Sequence, residues 1–245
     1  MHEDQYISAL KKDGSFVIDK FNSFVGFKSE QQKFLEQILE ENNVQMENAA
    51  DIACASGALT YWLSKKYPEA RFTMADLNDD LIEEAKKVNQ GDQFSYYVQN
   101  IYDLSELKDN EYDATFCWQT LLCLENPQQA LEELIRITRK RGRIYISSLF
   151  DPVHDVDIYA RMIDLTRKSG GEGHYTPYNT FSMSTIRKWL SAKVEEIKLY
   201  PFNINIDLPD IHKGLGTYTV RLENGERRQF SGSLHLNWGI LELVK

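Results

Sequence analysis

The chain has 245 residues, a formal net charge of −9 and a pI of about 5.1. Its hydrophobic fraction of 42% is enough for one α/β domain with a full core. The acidic balance argues against a nucleic-acid partner, because proteins that bind phosphate backbones usually present a basic face. The three cysteines, Cys54, Cys117 and Cys123, show no CxxC spacing, which argues against a zinc site and favours a reducing compartment.

The first residues contain neither the basic nor the apolar segment of a signal peptide. No apolar run approaches the ~20 residues that a membrane span needs. We therefore expect a cytoplasmic protein that does not bind membranes. Residues 1–28 are mixed in character and are predicted to form an N-terminal cover.

Hydrophobic periodicity predicts alternating helices and strands from residue 29 to residue 149. The predicted helices are 29–42, 57–66, 79–89 and 127–138, and the predicted strands are 49–53, 71–75, 94–98, 112–118 and 143–149. Strands that alternate with helices indicate βαβ units, and therefore a parallel sheet with helices on both faces. This segment, 29–149, is the predicted cofactor-binding core.

The pattern changes after Leu149. Residues 150–183 are rich in glycine, proline and aromatic residues, with one helical piece at about 156–168, and are predicted to form a lid over the substrate. Residues 184–245 are predicted to add C-terminal strands, the last of them antiparallel, with a cap excursion at 201–233 that turns at Asn224-Gly225. The whole chain is thus predicted to be one structural domain built on a doubly wound, mostly parallel seven-stranded sheet.

The strongest chemical signal is the segment from Asp51 to Gly57, DIACASG. An acid closes an apolar strand, small residues fill every second position, and a helix opens at Gly57. Small side chains allow a ligand to approach the backbone, and ligands of open α/β sheets bind at the carboxyl ends of strands. A dinucleotide site would favour glycine at Ala53 and Ala55, so a ligand without pyrophosphate is the better prediction.

This segment resembles the first motif of the class I S-adenosylmethionine-dependent methyltransferases. Asp76, at the end of RFTMAD, matches the acid that grips both ribose hydroxyls in that family, and Leu77 and Asn78 would flank the adenosine. The resemblance extends through Tyr112–Leu149, which reproduces the order of the fourth motif, a helix, a basic turn with glycine and a strand. The cofactor-binding residues that the resemblance implies are Asp51, Ala53, Ala55, Gly57, Asp76, Leu77, Asn78, Asn100, Ile101, Tyr102 and Trp118.

The resemblance implies methyl transfer, and a hydroxyl acceptor would need a base. His154 follows the fifth strand of the core and His174 lies in the aromatic loop, and an unperturbed histidine titrates near ~6.5, so either is a candidate base. Many relatives carry a histidine where this chain has Cys123, so that histidine's role does not transfer. The predicted substrate contacts are Gln119, Tyr175, Tyr178 and Asn179.

Asp151, Asp155 and Asp157 are similar to the metal clusters of catechol-type methyltransferases, but no further pattern supports a metal. A solvated acidic loop is the preferred interpretation, and no metal is predicted. The predicted reaction is S-adenosylmethionine-dependent methylation of a hydroxyl on a small polar metabolite, with a sugar or surface-polysaccharide precursor as one candidate. The alternatives are N-methylation of a small amine or amino sugar, and a protein that binds the cofactor without catalysis. A homodimer is compatible with the aromatic C-terminal excursion.

Overall fold

The computed structural model describes residues 25–166, 174–210 and 212–245. The predicted N-terminal cover therefore lies outside the described residues, apart from its last four. The helices are α1 (Glu30–Glu41), α2 (Ala58–Lys66), α3 (Asp79–Val88), α4 (Pro127–Ile137) and α5 (Met183–Leu190). The strands are β1 (Asn48–Ile52), β2 (Arg71–Asp76), β3 (Phe94–Val98), β4 (Tyr112–Trp118), β5 (Thr138–Asp151), β6 (Ile158–Asp164), β7 (His174–Ser182), β8 (Glu196–Pro201), β9 (Thr217–Arg221), β10 (Arg227–Ser231), β11 (Leu234–His235) and β12 (Trp238–Val244).

The central sheet has the order β3-β2-β1-β4-β5-β12-β8. Strands β1 to β5 run parallel, and β12 is antiparallel to both β5 and β8. The chain reverses its direction of travel across the sheet between β1 and β4. This reversal opens a crevice beyond the carboxyl ends of the two strands, where ligands of such sheets bind.

Two buried clusters of apolar side chains, one on each face, hold the helices to the sheet. On one face, α1 begins with a capping box in which the Ser29 hydroxyl and the Gln32 side chain each accept a backbone N–H, at 3.2 and 2.9 Å. The same helix buries Leu35, Ile38 and Leu39, which share the stripe expected at helical spacing. On the other face, α4 packs over β5, and α5 contacts β7.

The predicted helix at 156–168 is wrong, because residues 158–164 form the strand β6. This strand pairs antiparallel with β7, which in turn pairs parallel with the end of β5. The sheet consequently has nine strands and is mixed, instead of the seven predicted. The apolar spacing of this segment suits a helix equally well, so the pairing with β7 decides its conformation.

A bulge lies near the start of β5, where the pairing with β4 shifts register between Tyr112 and Ala114. Gly142 lies in this bulge. A Cβ at Gly142 would lie 2.8 Å from the carbonyl oxygen of Arg139 and 3.0 Å from that of Tyr112. The predicted basic turn before the fifth core strand is therefore part of that strand, and only glycine fits at position 142.

The C-terminal excursion forms a second, three-stranded antiparallel sheet of β9, β10 and β11. Its hairpin turns at Asn224-Gly225, as predicted, and the Leu222 N–H donates to the Glu226 carbonyl at 2.8 Å across the turn. The buried Asp164 at the end of β6 accepts the Leu215 N–H at 2.9 Å. The β6–β7 hairpin is thus joined to the C-terminal excursion. No helix in the described ranges is long and apolar enough to cross a membrane.

Candidate active site

In the loop after β1, every second residue has a left-handed backbone conformation. The φ angles are 58° at Ala53, 50° at Ala55 and 75° at Gly57. This conformation costs an alanine about 1–2 kcal/mol relative to the right-handed regions. The two alanines therefore adopt the glycine-type path of the motif, and the backbone is retained although the residue type differs.

Gly57 has a packing reason of its own. A Cβ at this position would lie 2.5 Å from Nδ2 of Asn89 and 3.0 Å from Sδ of Met74. The Asn89 side chain also donates to the Gly57 carbonyl at 3.1 Å. Gly57 is thus required for the contact between the start of α2 and the β2–α3 unit, and a contact with a cofactor stays a prediction.

Asp76 connects the loops that follow β1 and β2. Its Oδ2 accepts the Ala55 N–H and its Oδ1 accepts the Asn78 N–H, both at 2.9 Å. Burial raises the pKa of this carboxyl group above its ordinary value, against the backbone N–H donors of Asn78, Ala55 and Leu77, which lower it. The two carboxylate oxygens have about four lone pairs between them, so Asp76 can still accept a hydroxyl donor beside these N–H groups.

Asp51 is fully buried at the end of β1. Its Oδ2 accepts the Thr60 hydroxyl at 2.8 Å, whereas its Oδ1 is buried without a hydrogen-bond partner. Burial is the main cause that raises the pKa of Asp51 to about 7; the Thr60 bond lowers it and the charge of Asp76 raises it further. The buried hydroxyl of Ser56 in the same loop also has no partner. The loop therefore contains polar atoms that a bound ligand or water can satisfy.

The predicted adenosine contacts lie on the β2 and β3 side of the crevice. Leu77 is exposed, as a residue that flanks a ligand must be, but the Asn78 side chain caps α3 by accepting the Asp80 N–H at 3.0 Å. Asn100 accepts the Tyr102 N–H at 3.0 Å through its own side chain. Ile101 is buried in the core.

Tyr102 packs against the core beside Ile101, and its hydroxyl accepts the Asn126 N–H at 3.2 Å at the start of α4. Leu77 is thus exposed, whereas the side chains of Asn78, Asn100 and Tyr102 make local contacts. The cofactor roles of all these residues stay predictions.

At the end of β4, Gln119 has a left-handed φ of 54° and Trp118 packs below α1. The Gln119 amide donates to Oε1 of Gln31 at 2.7 Å, and the Ser147 hydroxyl donates to the same oxygen at 3.1 Å. Gln31 lies in the first turn of α1, so this contact holds the helix over the ends of β4 and β5. Sequence reasoning missed Gln31, because the only available signal was a polar residue on the apolar face of a predicted helix.

An apolar cluster lies beyond the ends of β4 and β5. Its buried members are Leu122, Cys123, Leu149 and Leu236, and its partly exposed members are Tyr178, Leu234 and Trp238. The Asn179 amide donates to the Leu124 carbonyl at 3.1 Å and so ties β7 to the short 3₁₀ turn after β4. The predicted contacts Tyr178 and Asn179 are therefore brought to the edge of the sheet that carries Gln119.

Tyr175 is half-buried further along β7, opposite Ile163 of β6. It lies five residues before Thr180, which pairs with Leu149. At ~3.3 Å per residue, Tyr175 is displaced by about 17 Å along the strand from that pair. A contact between Tyr175 and a substrate stays a prediction.

His154 is exposed and lies beyond the carboxyl end of β5. Ser147 pairs with Trp118 at the end of β4, and β5 continues for four more residues to Asp151, or about 13 Å at ~3.3 Å per residue. Nδ1 of His154 lies 3.4 Å from Oδ1 of Asp151. His174 begins β7 opposite Asp164, and its side chain lies outside the description. The structure therefore does not bring His154 to the end of β4.

The predicted solvated acidic loop is a set of backbone caps. Asp151 is buried and accepts the N–H groups of Val153, His154 and Val156. Burial alone would raise the pKa of Asp151, but these N–H donors and the adjacent His154 lower it below its ordinary value.

Two further acids secure the start of α5. Asp157 accepts the Ser182 N–H at 2.7 Å and the Thr185 hydroxyl at 2.6 Å, and Asp155 accepts the Ser184 N–H at 3.2 Å. The three acids therefore shape the turn after β5 and the entry into α5.

The sequence of the chain is similar to those of known methyltransferases. Residues 50–146 match the family model described as a methyltransferase domain. The chain is 24% identical over 160 residues to a malonyl-[acyl-carrier protein] O-methyltransferase of Priestia megaterium. The aligned region is 63% of this chain and 56% of that protein. It is also 26% identical over 109 residues to a demethylmenaquinone methyltransferase of Chlamydia muridarum. That aligned region is 42% of this chain and 47% of the relative. The chain thus spans about half the length of these curated relatives.

Among solved structures, the fold is similar to that of a Burkholderia thailandensis 1,6-didemethyltoxoflavin-N1-methyltransferase. The TM-score is 0.59 at 14% identity, over 100% of this chain and 91% of that one. A methyltransferase from Haloferax volcanii, in complex with its activator protein, gives the same TM-score and identity over 100% and 97%. Residues 50–146 therefore match a methyltransferase domain, and the fold of the chain is similar to that of solved methyltransferases.

Proposed function

We propose that the protein transfers a methyl group from S-adenosylmethionine to a hydroxyl group of a small acceptor. The observation that carries this proposal is the arrangement of Asp76. Its carboxylate is fixed by backbone N–H groups from the loops that follow β1 and β2, and it can accept a further donor. A vicinal diol such as a ribose offers two donors at the spacing of a carboxylate.

The loop after β1 and the end of β4 supply the remaining requirements. The left-handed path through Ala53 and Ala55 would bring backbone close to the ligand, and the unpartnered Oδ1 of Asp51 leaves a buried polar atom at the end of β1. The cofactor supplies a methyl group that is already activated on a sulfonium. The protein therefore has mainly to hold the two reactants in line, which can contribute about 7–11 kcal/mol.

For the acceptor, we propose a small ring compound with hydroxyl groups, of which a sugar is one candidate. The partly exposed Tyr178 and Trp238 offer flat apolar surfaces at the edge of the sheet that carries Gln119, and a ring could stack on them while its hydroxyl groups remain free. The relatives are named for acceptors as different as a malonyl-carrier protein and a demethylmenaquinone, so the acceptor is argued from these residues alone. Closure of the segment around His154 or His174 would bring a base to the hydroxyl.

The test is transfer of label from methyl-labelled S-adenosylmethionine to a panel of hydroxylated rings and to a matched panel of amines. We expect label on hydroxyl groups, with S-adenosylhomocysteine formed in equal amount. His154→Ala or His174→Ala should lower the rate, because either change would remove a candidate base. His212→Ala is the matched control, because His212 is an exposed histidine that also lies beside an acid, Asp210, at 3.2 Å.

Three results would contradict this assignment. Label on amines alone, with both candidate histidines dispensable, would establish the N-methylation alternative. Cofactor binding without S-adenosylhomocysteine formation, with any acceptor or cell extract, would establish a binding protein. Failure to bind the cofactor at all would remove the proposal together with both alternatives.

A further inference from the structure

The segment from Val153 to Leu165 exposes an unusual amount of apolar surface. Six large apolar side chains within these thirteen residues are exposed: Val153, Val156, Ile158, Tyr159, Ile163 and Leu165. Val153 is 76% exposed and Leu165 is 71% exposed. Contiguous apolar patches of more than a few hundred Å² usually mark interaction surfaces. We name this segment the β6 patch.

The backbone of the β6 patch is also open to pairing. Among the strands that the structure describes, β6 pairs with β7 along one edge, and no strand covers the other edge. Proteins usually protect such an edge with charged side chains, especially lysine, with proline or with a bulge. Strand β6, IYARMID, has no lysine, proline or bulge, and its central charge, Arg161, forms no ion pair with any residue in the described ranges. The edge therefore combines unpaired backbone groups with apolar side chains.

We propose that this edge is a dimer interface, in which β6 of one copy pairs antiparallel with β6 of a second copy about a two-fold axis at Ala160. A two-fold axis perpendicular to a sheet places one residue opposite itself and pairs the residues on either side of it reciprocally. With the axis at Ala160, Ile158 lies opposite the partner's Met162, and Tyr159 lies opposite the partner's Arg161. Each pair occurs twice, one apolar and one cation–π, and both stabilise an antiparallel ladder.

The neighbouring registers are less favourable. An axis at Arg161 would place two guanidinium groups directly opposite each other, and like charges in that position destabilise a sheet. An axis at Tyr159 would require Asp157 to face the partner's Arg161, but Asp157 is already held by Ser182 and Thr185. The small side chain of Ala160 suits the axis, where two copies of one residue approach most closely. The self-complementarity of Tyr159 and Arg161 favours a second copy over an unrelated partner.

The first experiment is sedimentation of the full chain from low to high micromolar concentration. A mass of twice 28.5 kDa is expected, and Ile158→Lys should halve it without weakening S-adenosylmethionine binding. Val220→Lys is the matched control. Val220 lies on β9 and is 41% exposed, and Ile158 is 43% exposed, so both variants put a lysine in place of an equally exposed apolar side chain on a strand. This control should remain a dimer.

The second experiment fixes the register, and does so even if Ile158→Lys fails to fold. Opposed Cα atoms of an antiparallel pair lie ~4.5–5.5 Å apart, within the range of a disulfide, so Ala160→Cys should form a covalent dimer on oxidation. Arg161→Cys should not, because its two thiols would be offset along the strands by two residues, ~7 Å. The native Cys54, Cys117 and Cys123 are all buried and so provide little background.

The proposal is overturned by a wild-type chain that stays monomeric at every concentration, which would also be the result if residues 1–24 covered the patch. A dimer that survives Ile158→Lys and is not cross-linked through Ala160→Cys would place the interface elsewhere and overturn it equally. The inference does not depend on the proposed reaction, because neither readout requires turnover.

Discussion

Replacing Asp51 by asparagine should change how the stability of the protein depends on pH. Burial raises the pKa of Asp51 from 3.8 to about 7. Between these values the unfolded chain has lost the proton that the folded chain retains, so the free energy of unfolding falls as pH rises. Each pKa unit corresponds to about 1.4 kcal/mol, so a rise of roughly three units gives a loss on the order of 4 kcal/mol, complete above about pH 7.

Asp51→Asn retains an oxygen for the Thr60 hydroxyl but cannot ionise. We therefore expect urea unfolding to give a flatter slope of unfolding free energy against pH in the variant, chiefly between pH 4 and about 7. Thr60→Val should extend the wild-type slope to higher pH, because the Thr60 bond lowers the pKa of Asp51. Asp207→Asn is the control: Arg221 and Arg227 lower the pKa of Asp207, so it is ionised in both states over this range. Equal slopes for wild type and Asp51→Asn would refute the argument.

Three further predictions concern the framework of the site. Gly142→Ala should lower stability by about 1–3 kcal/mol in urea unfolding, since its Cβ would meet two backbone oxygens, whereas Gly26→Ala, with no atom within 4 Å, should be nearly neutral. Ala55→Val should lower both the melting temperature and the affinity for S-adenosylmethionine, because a β-branched residue tolerates a φ of 50° poorly; an unchanged affinity would separate the loop from the cofactor. Glu242→Leu should cost about 1–3 kcal/mol, measured by calorimetry, because it leaves the buried Tyr145 hydroxyl without its acceptor.

The arrangement of the core could be predicted from the sequence because its signals are local. Strands β1 to β4 and the second half of β5 are short apolar runs, and the helices have an apolar stripe. The alternation of the two limits the topology to a parallel sheet. The acids at Asp51 and Asp76 were informative for the same reason, since each closes a strand whose carboxyl end lies at the crevice.

The acceptor side could not be predicted, because its contacts join segments far apart in the chain. Gln31 and Gln119 are 88 residues apart, and their bond exists only because α1 lies across β4 and β5. The segment at 156–168 has apolar residues at spacings that suit a helix, and it forms a strand because β7 offers it a hydrogen-bonding edge. Local patterns contain no information on such partners.

The measurement that tests the central claim most directly is calorimetric titration of wild type, Asp76→Ala and Asp113→Ala with S-adenosylmethionine and S-adenosylhomocysteine. Asp113 is the matched control, because it also accepts two backbone N–H groups, from Glu47 at 2.6 Å and Asn48 at 2.9 Å. It lies at the amino ends of β1 and β4, away from the crevice. We predict that both cofactor forms bind to wild type and that Asp76→Ala weakens binding by about tenfold or more, because charge-assisted bonds are worth about 1.5–3 kcal/mol. Asp113→Ala should bind as wild type does. Equal weakening by both variants, or no binding to wild type, would contradict the assignment of the crevice as a cofactor site.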